Sequence, residues 1–486
     1  MASRRLDHRL SPRQVLSGGI RVFLAESLLI PTGLLVAAYL ARRLGPDGYG
    51  IFVVTAALIA WVEWSLTALF SRASVRFVAD APDWRSMGAT IVSFHLVLAM
   101  LAALLLVALA GPIAALLGTP ALTGRLRLFA GDIPLFCLAQ AHRNILVGLG
   151  EFQQRALAAA ARWTSRLVLV LLFVGLGWSI DGAILGSIGA SAVELAVCRH
   201  FVQPAFSVRA ALQVQQLWSY AAPLLLSALA LRLFDKLDLV ALSALGAARE
   251  AVGFYGAAQN LSILPNLFAT SFSPLLLSTL TRAYRQSESE AADIGRDALR
   301  WVLLLVPFAG LAAGSASEII ALVFGPAFGP AAHLLGPLLF SAVALVLVSI
   351  MTAILVAAGR PGLSLAFTGP LPLVAGAGYL AVIPLFGARG AALVTLAAAT
   401  LGVLTLGVAV HRLSRALPPA GSMVRSGIGC AAAYAAAAFW PAGGALVVLK
   451  LAVIGIGIVV VLLLTGELTP AELRAARSCW PGRPRG

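Results

Sequence analysis

Apolar runs of about twenty residues recur from one end of this chain to the other, with only short polar connections between them. A helix of that length crosses roughly 30 Å of hydrocarbon. Inside a bilayer every backbone N–H and C=O must be paired within the protein, so a chain built this way spans as helices. Ten-residue alternating segments, the mark of a transmembrane barrel, are not seen. The runs fall at roughly 17–41, 50–70, 88–116, 127–149, 156–178, 183–202, 218–245, 252–279, 298–324, 334–358, 363–386, 390–411, 424–440 and 444–465. The expected fold class is therefore all-α, a polytopic membrane protein of about fourteen transmembrane helices.

Composition agrees. Apolar residues make up 60% of the chain and charged residues 11%, with a mean hydropathy of +0.94; soluble domains sit near ~45–50% and ~25%. The longest connection, "TRAYRQSESEAADIGRDALR" (281–300), is too small to fold alone. The N-terminus "MASRRLDHRLSPRQVLSGG" is basic and lacks a cleavable apolar core, so the first span is expected to stay as a signal anchor.

A net charge of +15 is a common mark of nucleic-acid binding, but its distribution here argues for a membrane. With both ends placed inside, the inner segments hold 22 Arg and the outer loops 6, which sets both termini in the cytoplasm and requires an even number of spans. No nucleic-acid partner is expected. The four cysteines, Cys137, Cys198, Cys430 and Cys479, have neither disulfide-framework nor metal-ligand spacing, so no metal site is expected.

An internal repeat organises the spans. "LGPDGYG" (44–50) opens span 2 and "LGAAREAVGFYG" (245–256) opens span 8, with Tyr49 and Tyr255 offset by 206. "GLGEF" (148–152) and "AAGRP" (357–361) close spans 4 and 10, with Gly150 and Gly359 offset by 209. "DGAILG" (181–186) and "RGAALV" (389–394) open spans 6 and 12, with Gly182 and Gly390 offset by 208. The chain thus reads as two six-helix lobes, 1–210 and 211–420, followed by two additional helices and a cytoplasmic tail in 421–486. Six is even, so the halves share one orientation, as in parallel-repeat transporters.

Charges inside the spans are the candidates for function, because an ionisable group near mid-bilayer costs at least ~2.5–3.5 kcal/mol. Arg232, Asp235, Lys236 and Asp238 interrupt span 7 and share one side of the helix at ~100° per residue. Two readings stand: the four pair with one another and lock the helix, or they line a cavity. Glu26 and Glu63 sit well inside spans 1 and 2, and Arg21 lies about a turn into span 1. Arg143, Arg162 and Arg166 lie toward inner ends, where snorkelling to the interface is the default. Asp132, Glu194, Glu318 and Lys450 are the remaining embedded charges outside span 7.

Catalytic patterns are missing. No HExxH, GxSxG elbow, P-loop or strand-linked GxGxxG is present, and the outer loops, about three to ten residues long, are too short for an enzyme site. Without ATP motifs, transport would run on an ion gradient, the membrane potential or a coupled pathway. No cofactor is expected.

"LARRLGPDGYGIFVVTAAL" (40–58), "SRASVRFVAD" (71–80) and "FDKLDLVALSALGAAREAVGFYGAAQNL" (234–261) resemble the signatures of polysaccharide flippases, the Wzx-like branch of the multidrug/oligosaccharidyl-lipid/polysaccharide exporter superfamily. The likeness extends over nearly the whole chain in its span count, short loops and inner termini. It implies two six-helix lobes around a central cavity with alternating access. The implied activity is flipping of a polyprenyl-diphosphate-linked oligosaccharide across the bacterial cytoplasmic (inner) membrane. It makes Arg21, Arg232 and Lys236 the candidates for the diphosphate. Glu26, Glu63, Asp235 and Asp238 become candidates for sugar contact or for coupling to H+ or Na+. Membrane lipid and glycan polymerase machinery are the other partners it implies. Two rival readings are an ion-coupled multidrug or small-cation exporter of the same fold, and a polymerase or ligase subunit of a glycan-assembly system.

Overall fold

Backbone polar groups that must be satisfied without water leave the helix as the local solution, and the described residues hold helices and no strand. The structure is a computed structural model, and it describes residues 22, 24–81, 83–204, 236–414 and 416–468. Seven stretches among them are long and apolar enough to cross a membrane, and three of these run to 44, 50 and 54 residues. About twenty residues suffice for one crossing, so the long stretches need interruptions, and the chain supplies them. The expected count of fourteen is not established by the described residues, because most of the expected seventh span, 218–245, lies outside them.

In the first part of the chain the helices are α1 (Leu29–Asp80), α2 (Trp84–Leu116), α3 (Leu122–Phe129), α4 (Asp132–Gly148), α5 (Phe152–Phe173) and α6 (Ser179–Phe201). After the helical stretch 236–244 come α7 (Arg249–Ser262), α8 (Leu264–Gln286), α9 (Glu288–Leu303), α10 (Leu305–Gly314) and α11 (Ala316–Phe324). The rest are α12 (Ala332–Ala357), α13 (Pro361–Thr368), α14 (Leu371–Ser414), α15 (Ala420–Phe439) and α16 (Leu446–Leu464).

The breaks have local causes. Helix α1 bends at Gly45, which takes φ 68° just before Pro46, a residue that has no N–H to give. A π turn at Val174–Trp178 separates α5 from α6. Helix α14 is broken at Gly387. Capping sets other boundaries: the Asp83 carboxylate accepts from the N–H groups of Arg85 at 3.0 Å and Ser86 at 3.3 Å and starts α2.

The sequence repeat has a backbone counterpart. Positive φ recurs at Gly118 and Gly325, offset by 207, and at Gly150 and Gly359, offset by 209. Ser179 adopts φ 50°, ψ −131°, and Gly387, offset by 208, adopts φ 56°, ψ −135°. The turns that open spans 6 and 12 are therefore the same turn, made once with serine and once with glycine.

Two compact units emerge from the contacts: residues 1–256 with 376–391, and residues 257–375 with 392–486. In the first, Ile91 and Val92 of α2, Leu138 and Ile145 of α4 and Cys198 of α6 build an apolar core. Helices α5 and α6 pack closely because Gly186 lets α6 lie against Val170. In the second, Leu304, Leu311, Ala433, Ile458 and Leu462 form the core that attaches α15 and α16. Gly310 and Gly314 of α10 face the carbonyl oxygens of Cys430 and Tyr434, where a Cβ would sit at 2.6 Å. Side chains such as Leu101, Leu104 and Leu105 of α2 are each 60% exposed, a surface suited to acyl chains and not to water.

Candidate functional site: a buried ionic core in the first half

Charge collects inside the first unit. Arg162 of α5 donates from Nη1 to Glu194 Oε2 of α6 at 2.8 Å, and Arg143 of α4 lies 3.1 Å from Glu194 Oε1. Glu194 is 0% exposed, Arg143 7% and Arg162 9%. Arg143 also reaches toward Glu26, at 3.6 Å, and donates to Gln140 of its own helix. Glu26, half-buried, accepts in addition from Arg155 at 3.4 Å and from the Trp163 indole at 3.3 Å. The Arg162 guanidinium lies over the Phe136 ring, 4.5 Å from its centroid. Deeper still, Glu63 and Asp132 are both buried and lie close to one another, with Ser191 beside Asp132 and the charges of Arg162 and Arg166 nearby. Polar atoms here remain without a protein partner, among them Glu63 Oε1, Asp132 Oδ1 and Arg166 Nε.

The core thus assembles Glu26 and Glu63 with Asp132 and Glu194, against Arg143, Arg155, Arg162 and Arg166. Four acids meet four bases, so it is not a simple anion trap. It changes one expectation: Arg143 and Arg162 do not snorkel to the interface but turn inward and pair. A signal for this was present in the sequence. Arg162 and Glu194 stand sixteen residues on either side of Trp178, the turn of an antiparallel hairpin, and so must sit at one depth.

The repeat supplies an internal control. At the offsets of 209 and 208, Arg162 corresponds to Leu371, Glu194 to Gly402 and Arg143 to Thr352. In the second unit, a Cβ on Gly402 would lie 2.9 Å from Leu371 Cδ1 and 3.1 Å from Val348 Cγ2. The position that holds an ion network in the first half is filled by apolar contact in the second. The helical framework does not itself require charge there.

Other candidates fall elsewhere. Arg21, Arg232 and Asp235 lie outside the described residues. Lys236 is half-buried on the stretch 236–244. Asp238 is buried; it accepts from the Tyr255 hydroxyl at 2.7 Å and from the Leu239 N–H at 2.7 Å, which ties it to α7. In the second unit Lys450, wholly buried, pairs with Glu318, which also accepts from the Ala442 N–H at 2.9 Å. Among the described residues no three His, Cys, Asp or Glu side chains gather to hold a metal ion.

The fold is shared with several solved membrane transporters. The chain is similar to the lipid II flippase MurJ in an inward closed conformation, with a TM-score of 0.74 and 15% identity over 91% of this chain and 97% of that one. It is similar to a MOP superfamily transporter from Pyrococcus furiosus, with a TM-score of 0.59 and 16% identity over 87% and 96%. It also resembles the Vibrio cholerae MATE transporter VcmN in its bent form, with a TM-score of 0.57 and 15% identity over 86% and 98%. No curated protein sequence matches. Fold and buried charge together define a multi-pass membrane protein with the architecture of MOP-superfamily transporters. The profile of the family described as polysaccharide biosynthesis protein matches residues 15–276, more than half of the chain, and the chain belongs to that family.

Proposed function

We propose that this chain flips a polyprenyl-diphosphate-linked oligosaccharide from the inner to the outer leaflet of the bacterial cytoplasmic membrane by alternating access. In this reading both termini are cytoplasmic, the lobes are 1–210 and 211–420, and 421–486 is an appendage. Membership of a polysaccharide biosynthesis family supports a glycan cargo. The observation that carries the reading is the ionic core of the first half, because the positions equivalent to its Arg162–Glu194 pair, Leu371 and Gly402, are filled by apolar contact. Embedded charge is expensive, and the second half fills the same place without it.

The balanced core leaves the diphosphate to Arg21, Arg232 and Lys236, with Asp235 nearby in sequence. Ion coupling falls to Glu63 and Asp132. Two buried carboxyl groups set close together are costly to ionise at once, and uptake and release of a proton there, or its replacement by Na+, is the drive in this reading.

The test is leaflet exposure of a lipid-linked oligosaccharide in proteoliposomes. The wild type is compared with Arg143→Thr, Arg162→Leu and Glu194→Gly combined, a variant that copies the second half and is checked for folding. Flipping by the wild type and not by the folded triple variant supports the proposal. Equal flipping by both makes the core a structural brace. A wild type that flips nothing but lowers accumulation of cationic dyes establishes the small-cation exporter instead.

A further inference from the structure

Within the first unit, α1 and α7 cross with almost nothing between their backbones. A Cβ on Gly50 would collide with the Arg249 carbonyl oxygen and lie 3.0 Å from the Gly253 nitrogen. A Cβ on Gly253 would collide with the Pro46 carbonyl oxygen and lie 3.2 Å from the Gly50 nitrogen. The contact is reciprocal: each glycine meets the residue four positions before the other. One layer further in, Gly256 faces Val53, where a Cβ would come within 2.7 Å. The repeat-equivalent Tyr49 and Tyr255 are both buried at this level. Above the crossing, Asp47 and Arg249 approach to 3.9 Å, both about half exposed. Asp47, Gly118, Thr119, Gly246, Arg249 and Glu250 line a hollow of about 380 Å³ there.

A glycine contact of the same kind in the second unit has a buried ion pair beside it. Gly310 and Gly314 seat α10 on α15 over two turns, with the buried Lys450–Glu318 pair close by in the same unit. Over the α1–α7 crossing lies a solvated ion pair, and such pairs contribute about 0–1 kcal/mol. The crossing joins the two repeat-equivalent segments that open spans 2 and 8, and it lies at the end assigned to the outer face.

We propose that the crossing at Gly50 and Gly253 is the closed outer gate of the translocation path, sealed backbone against backbone and latched weakly by Asp47 and Arg249. It rests on the transport reading, though not on the identity of the cargo. Glycine is required because any side chain at either position separates the helices. The gate opens readily because the ion pair that latches it is solvent-exposed.

The experiment reads accessibility first, and so needs no cargo. A cysteine is placed beneath the crossing (Val53→Cys), and its labelling by a membrane-impermeant maleimide is timed from the outside, with and without Gly253→Ala. The added methyl group should raise the labelling rate on the order of tenfold by shifting the closed–open balance. Unchanged labelling in a folded Gly253→Ala protein overturns the proposal. A second variant covers a folding failure: Asp47→Cys with Arg249→Cys, joined by a short bis-thiol reagent. Loss of transport on joining and its return on cleavage support the gate. Undiminished transport while joined overturns it, whatever the cargo is. If the labelling shift is found but no oligosaccharide is flipped by any form, the cargo assignment falls and the gate stands.

Discussion

Arg162 donates to Glu194 at 2.8 Å between two helices of the first half, and the residues in their places in the second half, Leu371 and Gly402, meet as methyl against backbone. One framework therefore carries two interiors. Removing one member of the buried pair leaves the other uncompensated, which costs about 3–5 kcal/mol. Replacing the set by well-packed apolar groups is often neutral. Arg162→Leu and Glu194→Gly made singly should thus lower thermal stability in detergent far more than the combined variant with Arg143→Thr. A combined variant as unstable as the worse single would show that the second-half filling does not transfer.

Ser179 occupies a backbone conformation that its counterpart Gly387 adopts freely. L-residues with positive φ pay about 1–2 kcal/mol. Ser179→Gly should raise the unfolding temperature, with a gain of about 1 kcal/mol, and Gly387→Ser should lower it by a similar amount. The two changes, measured side by side, should have opposite signs.

Lys450, wholly buried, and Glu318, mostly buried, tie α16 to α11. Lys450→Met leaves the Glu318 carboxylate with only the Ala442 N–H, and a loss of about 3 kcal/mol is expected. Glu318→Gln keeps an acceptor for Ala442 and should cost less. Neither residue belongs to the ionic core, so transport per folded molecule should be unchanged, as measured after correction for folded protein.

Gly310 and Gly427 make a matched pair. A methyl group on Gly310 would meet the Cys430 carbonyl oxygen at 2.6 Å, while one on Gly427 meets nothing within 4 Å. Gly310→Ala should destabilise by about 1–3 kcal/mol. Gly427→Ala, in a helix interior, should be neutral or stabilising by up to about 1 kcal/mol. Thermal unfolding of both variants reads the difference.

Much of the site was legible in part. Glu26 and Glu63 stood out because an acid in an apolar run is conspicuous, and both belong to the core. Arg143 and Arg162 looked like residues that reach for the interface, because depth along a helix does not tell which way a side chain turns. Helix faces are hard to read in such a chain, since lipid and protein interior are both apolar and the sides of a helix differ little in composition. Asp238 shows the same limit: its place in span 7 marked it as a cavity candidate, and only the fold brought Tyr255 to it.

The sequence by itself determined the solvent, the helices and the repeat. Each depends on local quantities: the length of an apolar run against the thickness of hydrocarbon, the glycines and Pro46 that break it, the bias of arginines between loops, and motifs returning at one spacing. Only the tertiary structure decided which charges meet and where backbones touch. Glu26 finds Trp163 across 137 positions, and Gly50 finds Arg249 and Gly253 across about 200. Pairing energy falls with distance in space, and distance in space between remote segments is a property of packing that no single run of residues contains.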